Sequence, residues 1–238
     1  MVQTIAFNEG LMNTTAPSIP VTPAQRSLQA WGLLILIALI WGSSFILIKR
    51  SLVGFSTTQV ATGRIFFAFL FFLPYLLLRI KQFPTKHWLP LLASGLLGYQ
   101  IPAFLFAIGG AHLNSSLSGA LNALSPLFTL LVGVAVFGRS VKKGQLAGVL
   151  LGFAGSVFLV FFSATGSFSF NAYALLIVLA TLCYGFNINI VSRYLTDLSA
   201  LVSTASMFGL VGPIALLGLS MTDFPTRAVQ PTASPENQ

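Results

Sequence analysis

Seven long apolar runs alternate with short polar connections along the chain. They fall at 31–48, 57–78, 88–110, 115–137, 144–162, 171–192 and 198–219. Each is long enough to cross roughly 30 Å of hydrocarbon as a helix. Most connections are short, so consecutive helices are expected to run antiparallel. Residues 1–30 are polar, with Pro17, Pro20 and Pro23, and contain no apolar stretch resembling a signal-peptide core. The first run is therefore expected to act as its own signal anchor. Residues 220–238 are again polar, carry Pro225, Pro231 and Pro235, and are expected to be disordered. The pattern predicts an all-α, polytopic membrane helix bundle.

Composition sharpens this. Of 238 residues, 55% are hydrophobic and only 7% are charged, where a soluble domain has about a quarter charged. The four acids are Glu9, Asp197, Asp223 and Glu236, so no carboxylate occurs over the long stretch between Glu9 and Asp197. The net charge of +8 is then a matter of placement along a membrane and does not point to nucleic acid. Cys183 is the only cysteine, which rules out an intrachain disulfide and a cysteine-rich metal site. His87 and His112 fall at opposite ends of one apolar run. Neither a metal cluster nor a His–acid catalytic pair can be drawn, so no enzyme activity and no cofactor are expected. The triplets Asn13-Thr14-Thr15 and Asn114-Ser115-Ser116 match the glycosylation pattern, but such triplets are common by chance.

The cations are unevenly distributed. Arg26, Arg79, Lys81, Lys86, Arg139, Lys142, Lys143 and Arg193 fall on one side of seven alternating spans. Lys49, Arg50 and Arg227 fall on the other, and Arg64 lies inside the second span. The excess predicts a cytoplasmic N-terminus and, with seven spans, a C-terminus outside.

An internal similarity follows from the spacing of small and polar residues. WGSSFILIKRSLVGFS (41–56) lies over YGFNINIVSRYLTDLS (184–199), with Gly, Arg, Leu and Ser coincident at 42/185, 50/193, 52/195 and 56/199. Both stretches end a span, and the second comes five spans after the first, an odd offset that flips direction, so the sixth span is expected to be an inverted copy of the first. Transporters are commonly built from inverted repeats, with the solute site where the repeats meet. This predicts a complete five-helix repeat over 31–162 and the first two helices of a second over 171–219.

One helix face stands out. Ser115, Ser118, Asn122, Ser125 and Thr129 are spaced three or four apart, which places them on one side of a helix. Such a stripe either hydrogen-bonds neighbouring helices or lines a cavity. Pro126 is expected to break this helix and bare a carbonyl near Asn122. Pro102, after Tyr99 and Gln100, and Pro213, on a helix with Ser199, Ser203 and Ser206, are expected to break others. Arg64 costs about 2.5–3.5 kcal/mol to place at membrane depth. Either it points inward on a face with Thr57, Ala61 and Ala68, or its side chain snorkels to the interface. Lys49 and Arg50 are either flank anchors or part of a vestibule. Gly144, Gly148, Gly152 and Gly155 form a small-residue ridge expected to serve packing.

WGSSFILIKR, the arginine of the second span, ALSPLFTLLVGVAVFG and QLAGVLLGFAGSVFLV together resemble the first repeat of EamA-type transporters of the drug/metabolite transporter superfamily. YGFNINIVSRYLTDLS resembles the start of the second. Members of that family usually have ten spans, so the resemblance implies a chain cut after seven. They often carry glutamate after the Phe-Gly that closes the fourth span, where this chain has Arg139. The resemblance implies transport, commonly efflux, of an amino acid, metabolite or drug-like solute through a central cavity. It makes Trp41, Ser44, Arg64, Tyr99, Asn122, Ser125, Tyr184 and Asn187 candidate solute-binding residues.

The sequence thus predicts an inner-membrane permease working by alternating access, alone or as a homodimer, with the lipid bilayer and a small solute as its partners. The competing expectations are a truncated remnant that inserts without transporting, and a seven-helix receptor or sensor. Against the sensor, the seventh span has no lysine to form a Schiff base.

Overall fold

The computed structural model describes residues 23–161 and 172–229, so the expectations for 1–22 and 230–238 and the Asn13 triplet lie outside the described residues, whereas residues 220–229, expected to be disordered, form the end of α9, a turn and α10. Among the described residues the chain is entirely helical. Its elements are α1 (Pro23–Ser51), α2 (Thr57–Leu78), α3 (Trp88–Gly95), a π-helical turn (Leu96–Gln100), α4 (Ile101–His112), α5 (Ser115–Asn122), α6 (Ser125–Ala135), α7 (Lys143–Phe161), α8 (Ala174–Tyr194), α9 (Ala200–Ser220) and α10 (Phe224–Val229). Two short 3₁₀ turns, Ile80–Gln82 and Thr85–His87, join α2 to α3. Six stretches are long and apolar enough to cross a membrane: Leu28–Ser51, Thr57–Leu78, Thr85–His112, Ser115–Ala135, Ala174–Tyr194 and Ala200–Ser220. The expected fifth run forms α7, whose side chains at 156, 157 and 159–161 lie outside the described residues.

The chain divides into two units, residues 1–41 and 42–238. The described part of the first is the beginning of α1, with Leu33, Leu36 and Leu39 exposed, as a lipid-facing helix requires. The second unit is a bundle in which α2 packs on α9, and α8 on α4 and α6.

Helix starts are set by polar caps. Ser56 and Gln59 form a reciprocal capping box at the start of α2, Asn114 caps α5, and Ser199 caps α9. The matched positions of the internal similarity do matching work. Ser56 Oγ accepts the Gln59 N–H at 3.3 Å, and Ser199 Oγ accepts the Val202 N–H at 3.3 Å. Leu52 N–H donates to Ile48 O at 3.1 Å, as Leu195 N–H does to Val191 O at 3.1 Å. These two corners lie at opposite ends of the rod formed by α3 and α4. Lys49 Nζ donates to Gly110 O and Ala111 O at the end of α4, whereas Asp197 meets His87 before α3.

Three prolines behave differently. Before Pro126 the helix breaks at Ala123 and Leu124. The Asn122 carbonyl that Pro126 leaves without an amide is taken by Ser125 Oγ at 2.7 Å, so it is not bare. At Pro102 the rod does not break; the turn widens into π geometry and the helix continues as α4. Pro213 lies inside α9, which runs on through it to Ser220, so the expected break there is absent. The backbone on either side of a lost hydrogen bond can stay helical when neighbouring helices hold it.

Close contacts are made by glycine. A Cβ on Gly185 of α8 would stand 2.7 Å from the Phe128 backbone carbon of α6. A Cβ on Gly212 of α9 would stand 2.2 Å from Phe69 Cγ of α2. In lipid, helices associate by such packing and not by a difference in hydrophobicity. The α7 ridge differs from expectation: a Cβ on Gly144, Gly148, Gly152 or Gly155 would meet no described atom within 4 Å. Those glycines do not pack among the described residues.

Candidate functional site

The bundle has two ends. At one, Lys49 caps α4, His112 stacks on Tyr173, and Asp223 accepts a hydrogen bond from Gln59 Nε2 at 2.7 Å. At the other, His87 Nε2 and Asp197 Oδ2 pair at 2.8 Å, and Arg139 bonds Ser192. Gly138, with φ of 63°, lets the chain reverse after α6 so that the Arg139 N–H reaches Gly133 O at 2.9 Å. Arg139 thus ties the end of α6 to α8.

At the Asp197 corner, slight desolvation works against the charge. The His87 hydrogen bond, the local backbone N–H and the neighbouring His87 and Lys86 outweigh it. Together they hold the Asp197 carboxyl below the usual carboxylate range.

A cavity of about 400 Å³ opens at the Lys49 end, between the last turns of α1 and the first half of α2. Its polar lining is Ser44, Ser51, Gln59 and Arg64. Phe55, Phe67 and Phe224 supply aromatic walls. The size is that of a small-molecule site, as is the arrangement of few polar groups among apolar ones. Arg64 is closely surrounded by protein, yet its surface is open, because the open side is the cavity. It makes no hydrogen bond or ion pair with a described residue. Its electrostatic neighbour is Tyr184 on α8. The cavity face of α2 is Val60, Gly63, Arg64 and Phe67; Ala61, expected to share the arginine's inward face, is fully buried.

A second cavity, of about 260 Å³, lies toward the His87 end, where Leu73, Arg79, Phe83 and Ser206 line it. No residue lines both cavities. Along α2 the lining changes between Phe67 and Phe69. Beyond that change Phe72 stacks on Phe208 at 5.5 Å, and Phe208 lies 4.5 Å from Tyr99.

The expected site residues divide accordingly. Ser44 and Arg64 share the larger cavity. Tyr184 stands within electrostatic reach of both Arg64 and Tyr99. Tyr99, on the π turn, hydrogen-bonds Thr204 of α9. Asn187 lies against Gly98 of the same turn, with Oδ1 buried and unpartnered. Asn122 and Ser125 bond to each other at the α5–α6 break and line neither cavity. The rest of their stripe behaves alike: Ser118 Oγ donates to Asn114 O and Thr129 Oγ1 to Ser125 O. Its one bond to another helix uses a backbone carbonyl, with Asn189 Nδ2 donating to Thr129 O at 2.8 Å. Trp41 ends the first unit, largely exposed.

Sequence reasoning passed over Gln59, Phe67 and Phe224. The spacing of Gln59, Gly63 and Phe67 by four is a signal that could have found the first two. Nothing local marks Phe224, which α9 carries to the cavity from far along the chain.

Residues 29–161 match the EamA-like transporter family. The chain is 32% identical over 161 residues to an uncharacterized transporter of Archaeoglobus fulgidus, covering 68% of this chain and 48% of that protein. It is 32% identical over 140 residues to a WAT1-related protein of Arabidopsis thaliana, covering 54% and 39% respectively. It is 29% identical over 171 residues to the uncharacterized inner membrane transporter YedA of Escherichia coli, covering 68% and 53%. The chain spans about half the length of the curated relatives it matches. No solved structure matches it significantly.

Proposed function

The chain belongs to the EamA-like transporter family, and from that premise we propose that it is a permease moving a small organic solute across the inner membrane by alternating access. It is a multi-pass membrane protein and not an enzyme. The observation that carries the reading is the pair of cavities at opposite ends of one bundle, with no shared lining and an aromatic stack beside the changeover. In this reading Ser44, Arg64 and Tyr184 meet the solute from the Lys49 end. Tyr99, Phe72 and Phe208 stand on the path toward the His87 end, and Asn187 lies against the π turn that carries Tyr99. The π turn, where Tyr99 sits, supplies the irregular backbone such movements use. The cation-rich His87 end is cytoplasmic, and solute moves outward through the Lys49 end.

The coverage of the relatives supports a second reading, in which the seven-run chain inserts without transporting. Uptake and counterflow in proteoliposomes, with a mixture of labelled amino acids and organic acids, separate the two. Solute-dependent flux is expected from the wild type. Gly63→Leu should abolish it, because Gly63 lines the cavity and a Cβ there meets no atom within 4 Å, so the longer side chain projects into the cavity; melting of the variant checks that it stays folded. Wild-type vesicles as tight as protein-free ones would leave only the second reading.

A further inference from the structure

Among the described residues Arg64 has no counter-ion. Arginine stays protonated in proteins, and at membrane depth its charge is paired with another group or faces water. The described acids are engaged elsewhere. Asp197 pairs with His87 at the opposite end of the bundle. Asp223 lies beside the cavity, next to Phe224, but its carboxylate accepts from Gln59 Nε2, five residues before Arg64 on α2, and forms no ion pair with Arg64. The electrostatic neighbour Arg64 does have is a tyrosine hydroxyl, which carries no charge to balance it. Around the arginine the cavity is lined by Ser44, by Ser51, whose Oγ donates to Leu47 O at 2.9 Å, and by Phe55, Phe67 and Phe224 as apolar surface. One unbalanced cation, a few hydroxyls and aromatic walls in about 400 Å³ complement one kind of molecule.

We propose that this cavity takes a small organic monoanion, its carboxylate or other oxyanion on Arg64 and its apolar body against Phe55, Phe67 and Phe224. The inference rests on the permease reading and names its solute class. The same oxyanion chemistry is offered by a free solute and by an anionic lipid headgroup. The cavity opens where both can reach it.

The test uses the purified full-length chain and three ligands of one size. Benzoate carries a negative charge, benzylamine a positive one, and benzamide none. Thermal unfolding is followed at neutral pH in phosphatidylcholine nanodiscs as each ligand is added. Benzoate is expected to raise the unfolding temperature saturably, with benzamide and benzylamine weaker by about tenfold or more. Arg64→Gln should remove the benzoate response, while Arg64→Lys keeps part of it. Phe67→Ala, which leaves the charge in place, should weaken benzoate. A response to benzylamine equal to that of benzoate, or a benzoate response unchanged in Arg64→Gln, overturns the proposal. Adding phosphatidylglycerol tells the two sources apart. Stabilisation by that lipid that needs Arg64 and that benzoate cannot displace assigns the site to lipid and overturns the solute inference. Binding is read apart from flux. Benzoate binding without transport removes the permease reading alone, and transport confined to benzylamine or benzamide removes this inference alone.

Discussion

At the scale of single residues, the bundle depends on where side chains are missing or where they cap. Gly185 lets α8 approach the α6 backbone at Phe128, so Gly185→Ala must push two helices apart. Overpacking of this kind costs about 1–3 kcal/mol. Unfolding in detergent should therefore show a clear loss for Gly185→Ala and almost none for Gly148→Ala, whose added methyl meets no described atom. The matched caps give a paired expectation. Ser56→Ala and Ser199→Ala each remove an acceptor from a helix start, at a cost of about 0.5–2 kcal/mol. The Ser56 loss should be the greater, because its capping box is reciprocal: Gln59 Oε1 accepts the Ser56 N–H at 2.9 Å. Equal and negligible losses in the same melts would remove the caps from this account.

At the scale of elements, the corners between helices are held by a few polar contacts and not by long loops. The turns before α3 and between α8 and α9 are joined by His87 and Asp197. Because the Asp197 carboxyl is held below the usual carboxylate range, its bond contributes fully above the unfolded value and is lost as pH falls through the folded one. Wild-type stability should thus fall on acidification below about pH 4 by an increment that Asp197→Asn lacks. The increment is small, since the aspartate is exposed. Melting curves of the two proteins from pH 3 to 7, compared as a difference, read it directly. An identical pH dependence would show that the contact contributes nothing to stability.

At the scale of the whole molecule, the proposed orientation of the bundle rests on charge and helix order together. Arg79, Lys81, Lys86, Arg139 and Arg193 gather at the His87 end, while Lys49 and Arg50 lie at the other. In a Cys183→Ser background, Lys86→Cys should react with an impermeant maleimide only after the cells are opened, and Val53→Cys in intact cells. Both positions are exposed at corners of the bundle. Labelling in the reverse sense would invert the proposed topology and the proposed direction of solute movement with it.

The amino-acid sequence by itself determined the helical class, the position of each apolar run, the caps at Ser56 and Ser199, and the break before Pro126. These are local matters of hydropathy, hydrogen-bond chemistry and a missing N–H, acting within a few residues. It also marked Arg64 as unusual, since a cation within a span is legible from its neighbours alone, whereas Ser44 was implied only by the family resemblance. The tertiary structure alone decided what faces what. A serine stripe looks like a cavity wall in projection, but its hydroxyls turn back on their own helix because a carbonyl four residues away is always within reach. The π turn at Tyr99, the passage of α9 through Pro213 and the arrival of Phe224 beside Phe55 and Phe67 depend on helices distant in sequence. A periodic pattern fixes which side of a helix is different; the neighbour that packs against it fixes whether that side is wall, contact or cavity.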